Sequence, residues 1–454
     1  MQAEGGSGSE RGMAPGGLPY SRRCTHPQGL RCGGGGAVSS LSEGVSVMSH
    51  IRTRTAVSPL RRSASVPPSP SVDGLVQILQ PENPVYCLRP AAVTEAARDF
   101  QAAFPGDVLY AVKCNAEPTI LRAIAAGGIT HFDCASDAEV RLLRSLFPKA
   151  ELHFMHPVKS RSAIRAAWHD FGVRDFVLDT ADELWKILAE TGEGARGLVV
   201  RLALPKGSAA YDLSGKFGAE PAVAAELLRA ARPHAARLGI SFHVGSQCME
   251  PAAWTRAMKM AAEVINMSGV AVDIVDVGGG FPVLYPGSQP PPLAAFMAAI
   301  REGAAALPAG TKLWAEPGRA LVASGASVVV QVQQRRGNAL YVNDGVYGAL
   351  SDAGAPGFRF PHRLIRAAGS RSGAAPQEFV LFGPTCDSAD VMKGPWTLPG
   401  DIGEGDWIEI GQLGAYGTAL RTAFNGFDRA LVTEVADAPL LVSPQNVTNA
   451  PRAA

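Results

Sequence analysis

Between residues 108 and 316 the chain repeats one alternation: a short apolar run, a turn, then a stretch with helical spacing. The apolar runs are 108–113, 129–134, 151–155, 175–179, 198–203, 239–244, 272–277 and 312–316, each rich in β-branched or aromatic residues. The stretches 117–126, 137–146, 159–170, 181–190, 219–236, 252–267 and 291–306 carry the helical pattern between them. Eight strands alternating with seven helices predict an α/β fold, a closed (β/α)8 TIM-like barrel within residues 84–325. An open doubly wound sheet would place its glycine-rich loop after the first strand, whereas here the glycines come late, at 278–280.

After Arg319 the texture changes. Runs such as 326–334, 339–342, 377–382 and 406–410 alternate or are β-branched, with glycine and proline interrupting them, which predicts a C-terminal antiparallel β domain over 326–440. The strand-like segment 84–90, with Val85–Leu88 at its centre, precedes the barrel and is expected to contribute to that same domain. Residues 1–70 differ from both, holding eight arginines and only Glu4, Glu10 and Glu43 as acids. An arginine-rich, acid-poor leader can be a targeting peptide, but the run Gly33–Gly36 would break its amphipathic helix. The expectation is a disordered or mis-annotated N-terminal extension, with Met48 a candidate start.

Charge narrows the function classes. The chain of 454 residues carries 42 basic and 41 acidic side chains, a balance that gives no sign of a nucleic-acid or membrane-surface partner. No apolar run reaches the length of a membrane span. The seven cysteines show no framework spacing and no CxxC, so reduced thiols in a cytoplasmic enzyme are expected, with no metal centre.

The candidate chemistry sits at the ends of the predicted strands, where barrel enzymes gather their catalytic side chains. Lys113, in Tyr110-Ala-Val-Lys-Cys-Asn115, stands where a barrel would hold a cofactor aldehyde, and an apolar strand end is expected to lower its pKa. By itself it would read as a snorkelling surface lysine. Gly278-Gly279-Gly280 can turn successive backbone N–H groups towards a phosphate. Glu316-Pro-Gly318-Arg319 follows the eighth strand; Arg319 could close an anion site, and a carboxylate at Glu316 could keep a pyridine nitrogen protonated. His243 ends the sixth strand and could stack on a flat ring or act as an acid or base, with Ser246 in the same loop. Asp133 could orient the lysine or histidine, and Arg201 points at the same mouth. Outside the barrel, Cys386 and Asp387 adjoin in a glycine-proline loop, and Tyr416 lies in Gly411–Gly417.

The strings AVKCN, FDCAS, FHVGS, VDVGGGFP, EPGR, NDGVYG, GPTCD and GAY, in this order over about residues 84–430, resemble the ornithine/lysine (group IV) decarboxylases. That family is pyridoxal 5'-phosphate-dependent, of fold-type III, with an alanine-racemase-like barrel. The resemblance implies that Lys113 holds the cofactor, His243 stacks on its ring and Glu316 pairs its pyridine nitrogen. Ser246, Gly279, Gly280, Gly318, Arg319 and Tyr416 would bind around its phosphate. It further implies a homodimer with shared active sites, in which Cys386 and Asp387 arrive from the partner subunit. There Cys386 would be the proton donor, and Asp387 and Tyr347 would face the amino-acid substrate.

The expected reaction is decarboxylation of L-ornithine to putrescine and carbon dioxide, a step of polyamine biosynthesis. One departure leaves the substrate open. The stretch after NDGVYG runs Ala349-Leu-Ser-Asp-Ala-Gly-Ala-Pro356, without the family's second substrate-facing aspartate at its usual offset. Asp352 is expected to substitute for it, or the pocket is differently shaped, so L-lysine, mixed lysine/ornithine use, diaminopimelate or another amino acid with a distal polar group stays an alternative. An alanine-racemase-like enzyme would need a second base, typically a tyrosine, where this chain offers Cys386. An inactive binding homologue would usually lose the lysine, phosphate-site or thiol residues, and here all are present.

Overall fold

A computed structural model describes residues 71–205 and 215–442. The expectations for residues 1–70 lie outside the described residues. The described residues all belong to one compact unit.

A short helix, α1 (Val72–Leu79), leads into strand β1 (Val85–Leu88) and helix α2 (Pro90–Ala103). Eight parallel strands then close a barrel: β2 (Asp107–Ala111), β3 (His131–Cys134), β4 (Glu151–Phe154), β5 (Asp175–Leu178), β6 (Gly197–Arg201), β7 (Arg237–Ser241), β8 (Ile274–Asp276) and β9 (Lys312–Ala315). Pairing of β9 back onto β2 completes the ring. The crossover helices are α3 (Pro118–Ala126), α4 (Asp137–Leu146), α5 (Arg161–His169), α6 (Ala181–Thr191), α7 (Pro221–Ala231), α8 (Ala252–Ser268) and α9 (Leu293–Ala304). Ser136, Ser160 and Thr180 cap α4, α5 and α6 by accepting from the backbone N–H three residues on, so each helix starts where its strand-end loop finishes.

The sequence pattern supplied seven helices, and the eighth comes from ahead of the first strand. Helix α2 buries Val93, Ala97 and Phe100 and packs against α3 and α9 across the β9–β2 seam. A polar layer closes the opposite end of the barrel from the strand ends. Asp175 accepts twice from Arg237 at 2.8 Å and lies 2.9 Å from His153, whose ring packs edge-on against Trp314.

Helix α10 (Arg319–Val322) leads out to the second domain, built from β10 (Ala326–Arg336), β11 (Ala339–Val342), β12 (His362–Ile365), β13 (Pro376–Phe382), β14 (Val391–Pro399), β15 (Trp407–Ile410) and β16 (Leu431–Glu434). With β1 these form an eight-stranded sheet in which β1 pairs antiparallel with β10 and parallel with β16. The sheet is mostly antiparallel, the other parallel pairing being β11 with β13. Buried Arg89, at the end of β1, bonds Ser327 at 2.8 Å and Glu409 at 2.9 Å, tying this early strand to β10 and β15. The loop after β15 then returns to the barrel: Asn115 Nδ2 donates to Gly414 O at 2.7 Å and Tyr416 N donates to Cys114 O at 2.9 Å. That clasp sets Tyr416 beside the turn that carries Lys113.

Candidate active site

Lys113 sits in the 3-10 turn Val112–Cys114 directly after β2. Its Nζ donates to Asp133 Oδ2 on neighbouring β3 at 2.8 Å. The side chain is 45% accessible while Asp133 is buried, so the amine looks out of the mouth and its partner does not. Burial works against the charge on Lys113, but Asp133 and Glu316 outweigh it and hold the ammonium above the usual lysine range. The sequence expectation of a lowered pKa is therefore corrected: desolvation acts as expected, and two carboxylates overrule it.

His243 lies two residues past β7. Its Nδ1 accepts from Gly245 N at 3.0 Å, and burial, with Arg201 and Lys113 nearby, depresses its pKa well below the ordinary histidine value. The ring is held neutral with Nε2 towards the glycine run. A Cβ on Gly279 would meet that Nε2 at 3.3 Å and Glu316 O at 2.5 Å. Gly278 and Gly280 have φ of +67° and +98°, and a Cβ on either would come within 2.2 Å of a carbonyl oxygen of the β7 loop. Only glycine allows this cradle.

Glu316 follows β9 and is buried, as is Asp276 at the end of β8. Burial pushes Asp276 up to about 6. Burial, then Asp276 and Asp133, carries Glu316 well above the carboxylate range. Asp276 itself accepts from Gly278 N at 2.8 Å, which makes it a part of the cradle that the sequence reading passed over.

Arg319 is buried at the start of α10. Its guanidinium sits 4.9 Å from the Tyr416 ring centroid and bonds Tyr285 Oη at 3.1 Å. Asp352 pairs with it at 2.8 Å. The sequence reading gave Asp352 to the substrate; here its carboxylate is spent on an arginine, because the 3-10 turn Ser351–Ala353 carries it inward. Gly318 packs against Cys114, Arg201 ends β6, and Ser246 lies half-buried between the His243 turn and Cys248.

A second cluster occupies the sheet domain. Asp387 bonds Tyr347, and Ala389 N donates to it at 3.0 Å; the Ala389 N–H and then the Tyr347 hydroxyl hold its carboxyl below the usual range. Cys386 is exposed, and both its N–H and its thiol donate to Asn425 Oδ1 at 3.1 Å. Asn425 was not singled out from the sequence. It has φ +52°, a left-handed conformation that asparagine tolerates, and follows Phe424, whose ring packs on Tyr347 at 5.1 Å. The cysteines among the described residues are free thiols, and no group of acidic, histidine or cysteine side chains among those residues is arranged to hold a metal. No helix among the described residues is long and apolar enough to cross a membrane.

Residues 90–323 match the family described as pyridoxal-dependent decarboxylase, pyridoxal binding domain. The chain belongs to this family. The lysine/ornithine decarboxylase of Selenomonas ruminantium is 33% identical over 331 residues, covering 70% of this chain and 81% of the relative. A lysine/ornithine decarboxylase from Vibrio vulnificus, solved with cadaverine, superposes with a TM-score of 0.71 at 32% identity, covering 81% of this chain and 98% of that one. The arginine decarboxylase of Paramecium bursaria Chlorella virus, solved with agmatine, gives a TM-score of 0.71 at 28% identity over 80% and 99% of the two chains. The protein is thus a pyridoxal phosphate-dependent amino-acid decarboxylase, a lyase of fold-type III.

The residues present fit that cofactor. Glu316 Oε1 and Arg319 Nε are both buried without a hydrogen-bond partner. A ring nitrogen carrying a proton answers the first, and a phosphate oxygen the second.

Proposed function

We propose that the protein decarboxylates L-ornithine to putrescine and carbon dioxide, in a site shared between two copies of the chain. The observation that carries the substrate class is Asp387, a half-buried carboxylate kept ionised beside Tyr347 and adjacent to Cys386. A carboxylate in that place suits a substrate's distal ammonium.

When bound, the cofactor supplies an electron sink for the pair released as carbon dioxide leaves. The chain's own residues do the rest. Lys113 would hold the cofactor aldehyde. Glu316 would pair the ring nitrogen and His243 would stack on the ring, the depressed pKa of His243 keeping it from adding a competing cation. Gly279, Gly280, Ser246 and Arg319 would bind the phosphate. Cys386 delivers a proton to the substrate's Cα, its thiol held by Asn425.

Two features favour a shared site. Cys386 is exposed, and its hydrogen-bond partner Asn425 lies in the same sheet domain rather than at the barrel mouth. Around it Leu420, Phe424 and Phe427 are 42–47% exposed, an apolar rim suited to a second copy of the chain.

A second reading, in which L-lysine is used as well or better, is favoured by one observation. Asp352 is engaged by Arg319, which leaves the substrate end with one fewer acid. Quantifying the amine products from ornithine, lysine, arginine and diaminopimelate tests the choice. Putrescine from ornithine should form fastest. A kcat/KM for lysine that matches or exceeds that for ornithine would replace the first reading by the second.

A further inference from the structure

We propose that Asp352 is a positioning residue for Arg319, and that through it the site distinguishes phosphorylated from unphosphorylated cofactor. The inference rests on the reading of Gly279, Gly280 and Arg319 as the phosphate side.

Arg319 is buried among aromatic rings, with its guanidinium carbon 4.9 Å from the Tyr416 centroid, 5.0 Å from Phe358 and 5.9 Å from Tyr285. Ring faces attract a guanidinium without fixing its rotation in its own plane. Rotation is fixed at Nη1, which meets Asp352 Oδ2 at 2.8 Å and Tyr285 Oη at 3.1 Å. Because the fork is planar and rigid, anchoring Nη1 also aims Nε. Nε is buried and has no hydrogen-bond partner, so it is the donor reserved for an incoming anion. An acidic residue beside a phosphate-binding arginine would otherwise weaken the site by cancelling its charge. The geometry assigns Asp352 the opposite effect, since what it fixes is direction.

Alignment and charge separate in two substitutions. Asp352→Asn removes the charge and keeps an oxygen for Nη1, whereas Asp352→Ala removes both. The readout is the ratio of dissociation constants, pyridoxal over pyridoxal phosphate, from equilibrium titration of the full-length protein. Arg319→Ala serves as the control: if it leaves the ratio unchanged, the phosphate reading fails, whatever Asp352 does. With that control collapsing the ratio, Asp352→Ala should lower it about tenfold with the pyridoxal constant unmoved, and Asp352→Asn should stay within about threefold of the parent. Tyr285→Phe, which deletes only the second anchor, should lower the ratio by about threefold and serves if Asp352→Ala does not fold. A ratio that is unchanged or raised in Asp352→Ala would overturn the proposal. So would equal losses in the Ala and Asn variants, or equal weakening of both ligands; if Asp352→Ala does not fold, an unchanged ratio in Tyr285→Phe would do the same.

Discussion

Asp133 Oδ2 accepts from Lys113 Nζ at 2.8 Å, and this pair governs the protonation of the amine proposed to react with an aldehyde. Burial disfavours the ammonium and Asp133 restores it, so removing the carboxylate must favour the neutral amine. In Asp133→Asn the pH at which added pyridoxal phosphate gives its lysine-bound visible absorbance band should move down. Rates of band formation between about pH 7 and pH 9.5 would show it. A midpoint that rises or stays fixed contradicts the assigned coupling.

Glu139 offers a stability test of opposite character. Ala135 N donates to its Oε2 at 2.6 Å, but burial is the larger effect and pushes its pKa up to about 7. A folded-state pKa above the unfolded value of 4.5 means that the native protein binds the extra proton. Glu139 therefore contributes stability fully present below about pH 4.5 and lost as pH rises through about 7. Glu139→Gln should be more stable than the parent at pH 8 by about 2–3 kcal/mol relative to their difference at pH 5, measured by urea unfolding at both values. No change of the difference with pH would show that Glu139 stays ionised in the fold.

Asn425 should matter to chemistry more than to binding. Its Oδ1 receives both the N–H and the thiol of Cys386, so Asn425→Ala leaves the thiol free to rotate. Turnover should fall about ten- to a hundredfold with KM little altered. In deuterium oxide the variant's product should carry its single deuterium divided between the two prochiral positions at the former Cα, where the parent's carries it in one. Unchanged turnover with stereochemistry intact rules out the positioning role.

Lys113→Ala and Cys386→Ala variants, each inactive, should complement when their subunits exchange. Random pairing makes half the dimers mixed with one intact site each, so recovery should approach about a quarter of the parent activity. An absence of recovery under demonstrated exchange places Cys386 over its own barrel.

The barrel was legible because each of its strands is an apolar run ended by turn residues, and the candidate site was legible because Lys113, His243 and Glu316 stand at those ends. Helix α2 was not read: its three buried residues, Val93, Ala97 and Phe100, make a thin apolar stripe, and it precedes the repeating unit instead of falling inside it. Nor does strand pattern encode neighbour direction, so the parallel pairing of β11 with β13 could not be foreseen. Asp352 read as a substitute substrate acid because sequence spacing shows offset along the chain and not the inward turn that gives it to Arg319. Asn425 lies 39 residues from Cys386, and a loop asparagine carries no local mark of such a partner.

Among the described residues, Lys159 is a rival to Lys113 within the barrel. Burial pulls the amine of Lys159 down to about 8, which would favour nucleophilic chemistry, yet that amine is fully enclosed, donating to Val177 O at 2.6 Å and lying 2.9 Å from Glu183. Accessibility favours Lys113, whose side chain is 45% accessible. Borohydride reduction of the holoenzyme followed by peptide mass analysis decides between them, because reduction fixes the cofactor to whichever amine held it. The reduced cofactor should be recovered on the peptide containing Lys113. Recovery on the peptide containing Lys159, or on any other lysine, would contradict the site described here.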